Sequence, residues 1–171
     1  MAPETRESEK EKVALEHDAA KLFMKLYEKQ YDIPMRHIWH NIPSKPDVSC
    51  YLGETKLDLE IAHLYASEAE AMAVLGRALS IETQRELAMM ALTPVSEHLH
   101  TALGRLLKQK YQKRYTSERV WLVIRNASAM WHREDLTRVL SQLSVPPYQP
   151  FERIWVICDY FGKDGLIEIS Q

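Results

Sequence analysis

Pro46-Asp47-Val48-Ser49-Cys50-Tyr51-Leu52-Gly53-Glu54-Thr55-Lys56-Leu57-Asp58-Leu59-Glu60-Ile61-Ala62-His63-Leu64 holds two apolar-rich runs around Gly53-Glu54. Val48–Leu52 and Thr55–Leu64 read as strands, joined by a two-residue turn with glycine first, where positive φ is needed. Side chains alternate along a strand. Leu57, Leu59, Ile61 and His63 therefore point one way, and Lys56, Asp58, Glu60 and Ala62 the other. Aspartate and glutamate are depleted in strands, so two of them on one face must meet water, a base or a cation. One reading places this strand at a sheet edge with solvated acids. The other brings Asp47, at the start of the first strand, across the hairpin to Glu60, and hard carboxylate oxygens suit Mg²⁺ or Mn²⁺.

Outward from the hairpin, apolar spacing predicts a helix over Glu7–Tyr31, on Val13, Leu15, Ala19, Leu22, Phe23, Leu26 and Tyr27, ended by Ile33-Pro34. A short strand over Met35–Ile42 follows. Ser67–Leu92 is rich in Ala, Leu, Met and Glu and predicts a helix, broken near Ser80, with Ser67 and Glu70 as a capping box. Thr93-Pro94 opens a further helix reaching Tyr115, with Leu99, Leu103, Leu106, Leu107, Tyr111 and Tyr115 as its stripe. Val120–Ile124 and Arg153–Asp159 are apolar runs expected as buried strands. Arg133–Leu143 is a helix between them, and Leu166–Ile169 a closing edge strand. This order favours an α/β or α+β sheet with helices on both faces, in one domain over 13–171 after a charged tail over 1–12.

The 171 residues carry 22 Lys and Arg against 24 Asp and Glu, a net charge of -2, which excludes a uniformly basic binder but not a basic patch. The longest apolar runs fall far short of the ~20 residues of a membrane helix. The charged N-terminus does not read as a signal peptide. The two cysteines, Cys50 and Cys158, each lie in an apolar run and read as buried thiols, the usage of a reducing, cytoplasmic compartment. No Gly-rich nucleotide fingerprint, nucleophile elbow or zinc spacing is present. His98 and His100 are two apart in a helix, so their rings diverge. His63 lies on the strand face opposite Glu60 and reads as a packed histidine.

Arg105, Lys108, Lys110, Lys113, Arg114 and Arg119 fall within fifteen residues that contain one acid, Glu118, with Tyr111 and Tyr115 interleaved. Such a cluster suits phosphate contact, and equally a solvated helix end. Glu16, on or beside the polar face of the first helix, reads as a surface glutamate.

Lys45 to Leu64 resembles the core of the PD-(D/E)XK nuclease superfamily, whose fold is called restriction-endonuclease-like. There a helix precedes a hairpin carrying Pro-Asp and then Glu-x-Lys, and a helix and another strand follow. The resemblance continues more loosely through Lys110-Tyr111-Gln112-Lys113 and Tyr115 into Trp121-Leu122-Val123-Ile124. It implies a central mixed sheet flanked by helices, and metal-dependent hydrolysis of phosphodiester bonds, in DNA. It implies that Asp47 and Glu60 hold Mg²⁺ or Mn²⁺, with the Ile61 carbonyl as a further ligand. Lys108, Lys113, Arg114 and Arg119 would bind the nucleic-acid backbone, and cutting both strands would favour a homodimer. One position departs. The superfamily lysine, two after Glu60, is Ala62. Superfamily members with migrated lysines are known, and Lys110 is the expected replacement: it borders the buried stripe of its helix, and a lysine stem can cross apolar surface to a polar pocket. Lys113 is next. Lys56 shares the Glu60 face but lies about 13 Å back along the strand. The alternative is a catalytically inactive module of the same fold that binds nucleic acid or a protein partner.

Overall fold

In a computed structural model of the chain, residues 2–41, 46–66, 81 and 95–169 are described. The expected helix over Ser67–Leu92, with its Ser67–Glu70 cap, and the Thr93-Pro94 start lie outside the described residues, Ile81 excepted. The first helix, α1, spans Ala2–Tyr31, so the charged stretch expected as a tail extends the helix instead. Its buried face is Ala19, Ala20, Phe23, Met24 and Tyr27, at the spacings that share one side of a helix. It stops where Asp32 takes a left-handed φ of 55° and its N–H donates to the Glu28 carbonyl at 2.9 Å. Aspartate visits that conformation more readily than most residues.

Three antiparallel strands follow the helix: β1 (Met35–His40), β2 (Val48–Leu52) and β3 (Thr55–Leu64). Gly53 supplies the positive φ, 60°, that the tight β2–β3 turn requires. α2 (Val95–Tyr111) leads to β4 (Val120–Asn126), which pairs parallel with β3. α3 (Arg133–Leu140) leads to β5 (Arg153–Ile157), parallel to β4, and β6 (Leu166–Ile169) closes the sheet antiparallel to β5. The six strands lie side by side in chain order in one mixed, open sheet. α2 and α3 each end shorter than the apolar pattern predicts, at Tyr111 and Leu140.

The alternation read from β3 divides two cores. Leu57, Leu59 and Ile61 join Trp121, Val123 and Trp155 under α1. Ala62 and Leu64 join Leu122, Ile124, Ile154 and Val156 under α2 and α3. Helices therefore cover both faces, and β4 is buried at every position, which is why its sequence does not alternate. Each fully buried leucine or aromatic contributes roughly 1.5–3 kcal/mol of transfer free energy. Cys50 and Cys158 are free thiols in opposite cores. On the α1 face Arg125 is buried. It donates to Asp18 of α1 at 2.9 Å and to the Tyr160 carbonyl at 2.6 and 2.8 Å, with its guanidinium 3.7 Å from the Tyr160 ring centre. No helix among the described residues is long and apolar enough to cross a membrane.

Candidate active site

β3 lies between β2 and β4 rather than at an edge, so its acids are not solvated: Asp58 is 4% exposed and Glu60 1%. Each has its own partners. Asp58 accepts a hydrogen bond from Ser49 Oγ at 2.5 Å and faces Lys56 at 3.7 Å. Ser49 in turn accepts from Asn41 Nδ2 at 2.8 Å.

Glu60 sits where the sheet forks. β2 begins at Val48, opposite Leu59, so beyond that point β3 keeps β4 as its only strand neighbour among the described residues. The Ile61 N–H donates instead to Asp47 Oδ2 at 2.9 Å. Asn41 steadies the Asp47 turn, donating its backbone N–H to the Asp47 carbonyl at 3.0 Å and its amide to the Pro46 carbonyl at 2.9 Å. The Asp47 side chain is thereby brought, buried, against Glu60.

Three donors converge on Glu60 Oε2: Lys113 Nζ at 2.8 Å, Lys110 Nζ at 3.4 Å and Tyr115 Oη at 2.5 Å. Glu60 Oε1 is buried with no donor against it, unless Asp47 carries a proton and supplies one. The electrostatics favour that arrangement. Burial, then the hydrogen bond and charge of Glu60, push Asp47 up to about 8. Burial acts to raise Glu60 too, but the hydrogen bond from Asp47, the Lys110 charge, Lys113 and Tyr115 outweigh it and bring Glu60 down to about 2. Burial lowers Lys110, against the pull of Glu60. For Lys113 burial is outweighed by Glu60, and the net shift is upward. Tyr115 is raised by burial and by its bond to Glu60. With one carboxyl neutral, two ammonium groups face a single carboxylate.

A divalent cation fits the Asp47–Glu60 pair. Two hard carboxylates in hydrogen-bonding contact, one with an orphaned buried oxygen, need a proton or a cation between them. Mg²⁺ is commonly held by one or two carboxylates, completing its shell with water and substrate phosphate. Among the described residues no group of three or more His, Cys, Asp or Glu forms a ready-made metal cage.

No family model matches the chain, and no curated protein or solved structure does either.

Of the residues singled out in the sequence, Asp47, Glu60, Lys110 and Lys113 come together, with Lys113 closer to Glu60 than Lys110. Lys108, Arg114 and Arg119 do not join them. Lys108 is exposed and lines a separate cleft with Tyr111, Leu143 and Pro146. Arg114 donates to the Tyr111 and Lys113 carbonyls at 3.3 and 3.0 Å, capping the end of α2. Arg119 forms a two-pronged ion pair with Glu152 at 2.8 and 3.0 Å.

Two residues belong to the cluster that the sequence did not place there. Tyr115 reaches Glu60 because α2 stops at Tyr111 and the chain folds back. Glu16, from α1, is 6% exposed, and its pKa is raised by burial first and also by the Glu60 charge, with Lys12 opposing. Its signal was present: it falls three and four residues before Ala19 and Ala20 and seven before Phe23, in phase with the apolar stripe.

Proposed function

We propose that the chain is a metal-dependent nuclease of the restriction-endonuclease-like type, hydrolysing phosphodiester bonds in DNA. The observation that carries this is the meeting of Asp47 and Glu60 at the fork of the sheet, with Lys110 and Lys113 on the same carboxylate. It supports the likeness read between Lys45 and Leu64 in both element order and residue placement. Asp47 and Glu60 would hold Mg²⁺ or Mn²⁺, which when bound polarises the scissile phosphate and lowers the pKa of a coordinated water. Ala62 packs in the core under α2, so the ammonium its position lacks is supplied by the 110–115 segment. Lys110, the more buried of the two lysines, is aimed from α2 at Glu60 and orients the attacking water. Lys113 offsets charge on the phosphate as it becomes pentacoordinate. Tyr115 holds Glu60 Oε2, leaving Oε1 toward Asp47.

A second reading is a catalytically inactive module that binds nucleic acid. One feature favours it: the three donors on Glu60 Oε2 neutralise that carboxylate without a cation. Turnover separates the two. Purified chain should cut DNA with Mg²⁺ or Mn²⁺ and not with EDTA, and Asp47→Ala and Glu60→Ala should abolish cutting. Equal cleavage by wild type and both variants would reject the nuclease reading. Binding without cleavage in either metal would establish the inactive module.

A further inference from the structure

Trp39 stands apart from the other tryptophans. Trp121, Trp131 and Trp155 are 1–2% exposed, whereas Trp39 is 37% exposed. It lies on β1 opposite Ser49 of β2, and Ser49 pairs in turn with Asp58 of β3. Directly paired residues share a sheet face. Trp39 is therefore on the face that carries Ser49, Asp58 and Glu60, away from α1. Tyr51, on the same face, backs the indole with ring centres 5.9 Å apart and planes tilted by 49°. His37 meets Tyr51 edge-on at 6.0 Å. It is the residue where the strand bulges, with φ of 59°, and bulges re-aim the side chains around them.

Position relative to the site gives this aromatic surface its meaning. Ser49 is two residues from Asp47, about 7 Å along the strands, and β1 lies one strand from β2 and two from β3, so Trp39 is roughly 8 Å from Asp47 and roughly 12 Å from Glu60. Successive nucleotides of a stacked strand rise ~3.4 Å each, so that span is about three steps. We infer that Trp39 is a stacking platform for an unpaired base of the substrate strand, about two to four nucleotides from the phosphate held at Asp47 and Glu60. The inference rests on the nuclease reading of that site and adds a substrate class: single strands, or frayed and flapped ends. A base within a duplex has its faces covered by its neighbours, and exposing one requires unstacking. Aromatic platforms beside positive charge are the general means of holding single strands; here the charge comes from Lys110 and Lys113. A cross-strand pair that only stabilises the hairpin accounts for the contact with Tyr51. It gives no reason for the indole to stay exposed on the sheet face that carries the carboxylates.

The other three tryptophans are buried, out of reach of a bound base, so the part of an emission change that Trp39→Phe removes reports on the Trp39 contact. The full chain would be titrated in EDTA, where cleavage is excluded, with a single-stranded oligonucleotide and with the matching duplex, following tryptophan emission. The single strand should quench emission and the duplex should do so far less. Trp39→Leu, which keeps apolar bulk on the hairpin, should weaken single-strand affinity by about 5- to 100-fold, the effect of losing one stacked base. Trp39→Phe should bind within a few-fold of wild type but lose the quenching. Absent quenching, equal quenching by duplex, or unchanged affinity in Trp39→Leu would each overturn the platform. Cleavage that requires Asp47 and Glu60 but shows no Trp39 quenching would overturn the platform alone. Quenching without cleavage would reject the nuclease reading and leave the platform standing.

Discussion

Replacing Asp47 with asparagine should stabilise the protein at neutral pH and should do so more as pH rises. The carboxyl has an ordinary value of 3.8 and is held at about 8 in the fold, by burial first and then by Glu60. Between those values the folded state binds a proton that the unfolded state has released, so wild-type stability falls as pH increases. One such proton gives a slope of up to about 1.4 kcal/mol per pH unit. From pH 5 to 7 the loss reaches up to about 3 kcal/mol. Asparagine mimics the protonated acid. Its Oδ1 accepts from the Ile61 N–H, and its Nδ2 donates to the orphaned Glu60 Oε1. The variant therefore has no corresponding loss. His63, lowered to about 4 by burial and by Arg125, acts in the opposite sense. Its folded state prefers the neutral ring, so its contribution is present above the ordinary imidazole value and is lost as pH falls. That contribution is common to both proteins and cancels in their difference. Urea denaturation of wild type and Asp47→Asn at pH 5, 6 and 7, fitted with a shared m value, measures the difference directly. A gap that stays constant or narrows from pH 5 to 7 would show that Asp47 is ionised in the fold and would refute the shared-proton arrangement.

Tyr115→Phe removes the 2.5 Å hydrogen bond to a buried carboxylate and should cost about 1.5–3 kcal/mol in urea denaturation; a loss below about 0.5 kcal/mol, within the range of an ordinary surface change, would mean the bond is not made. In single-turnover cleavage Lys110→Ala and Lys113→Ala should each slow the chemical step by roughly 10²-fold or more. Lys108→Ala should be silent, and equal rates for all three would remove both lysines from the mechanism. Mn²⁺ affinity, followed by calorimetry, should rise between pH 5 and 7 by up to about tenfold per unit, because binding displaces the Asp47 proton; a flat profile would place the cation elsewhere.

The hairpin was readable from the chain because everything that specifies it is local: alternation in β3, the glycine turn, and an acid on each arm at the open end of the pairing. The apolar runs of β4 and β5 were readable for the same reason. What the sequence left open was whether Asp58 and Glu60 are solvated. That depends on the parallel pairing of Glu60 with Leu122, a contact between distant segments with no local signature. Helical spacing carried α2 on to Tyr115. The helix stops at Tyr111, and that stop lets Lys113 and Tyr115 reach Glu60, a contact with another strand that no local propensity records. Lys110 was found through its position beside the Leu106–Leu107 stripe, whereas the stronger contact of Lys113 depends on that early stop. Glu16 is in register with Ala19, Ala20 and Phe23, a local signal that favours burial over the surface reading.

The cluster around Glu60 also orders the events of folding. Asp47 and the Ile61 N–H are separated by 14 residues, whereas Lys110, Lys113 and Tyr115 reach Glu60 across 50, 53 and 55. Closing the longer loops costs only about 1.2 kcal/mol more, two doublings of length, but it also waits on β4 docking beside β3. The acidic half can form with the hairpin while the basic half is still searching. The same hierarchy runs backwards in the native state: peeling residues 110–115 away strands a charged Glu60 in water without unpairing β2 from β3. Amide exchange in that segment should therefore outpace exchange in the hairpin, and the chemistry can be dismantled while most of the sheet stands.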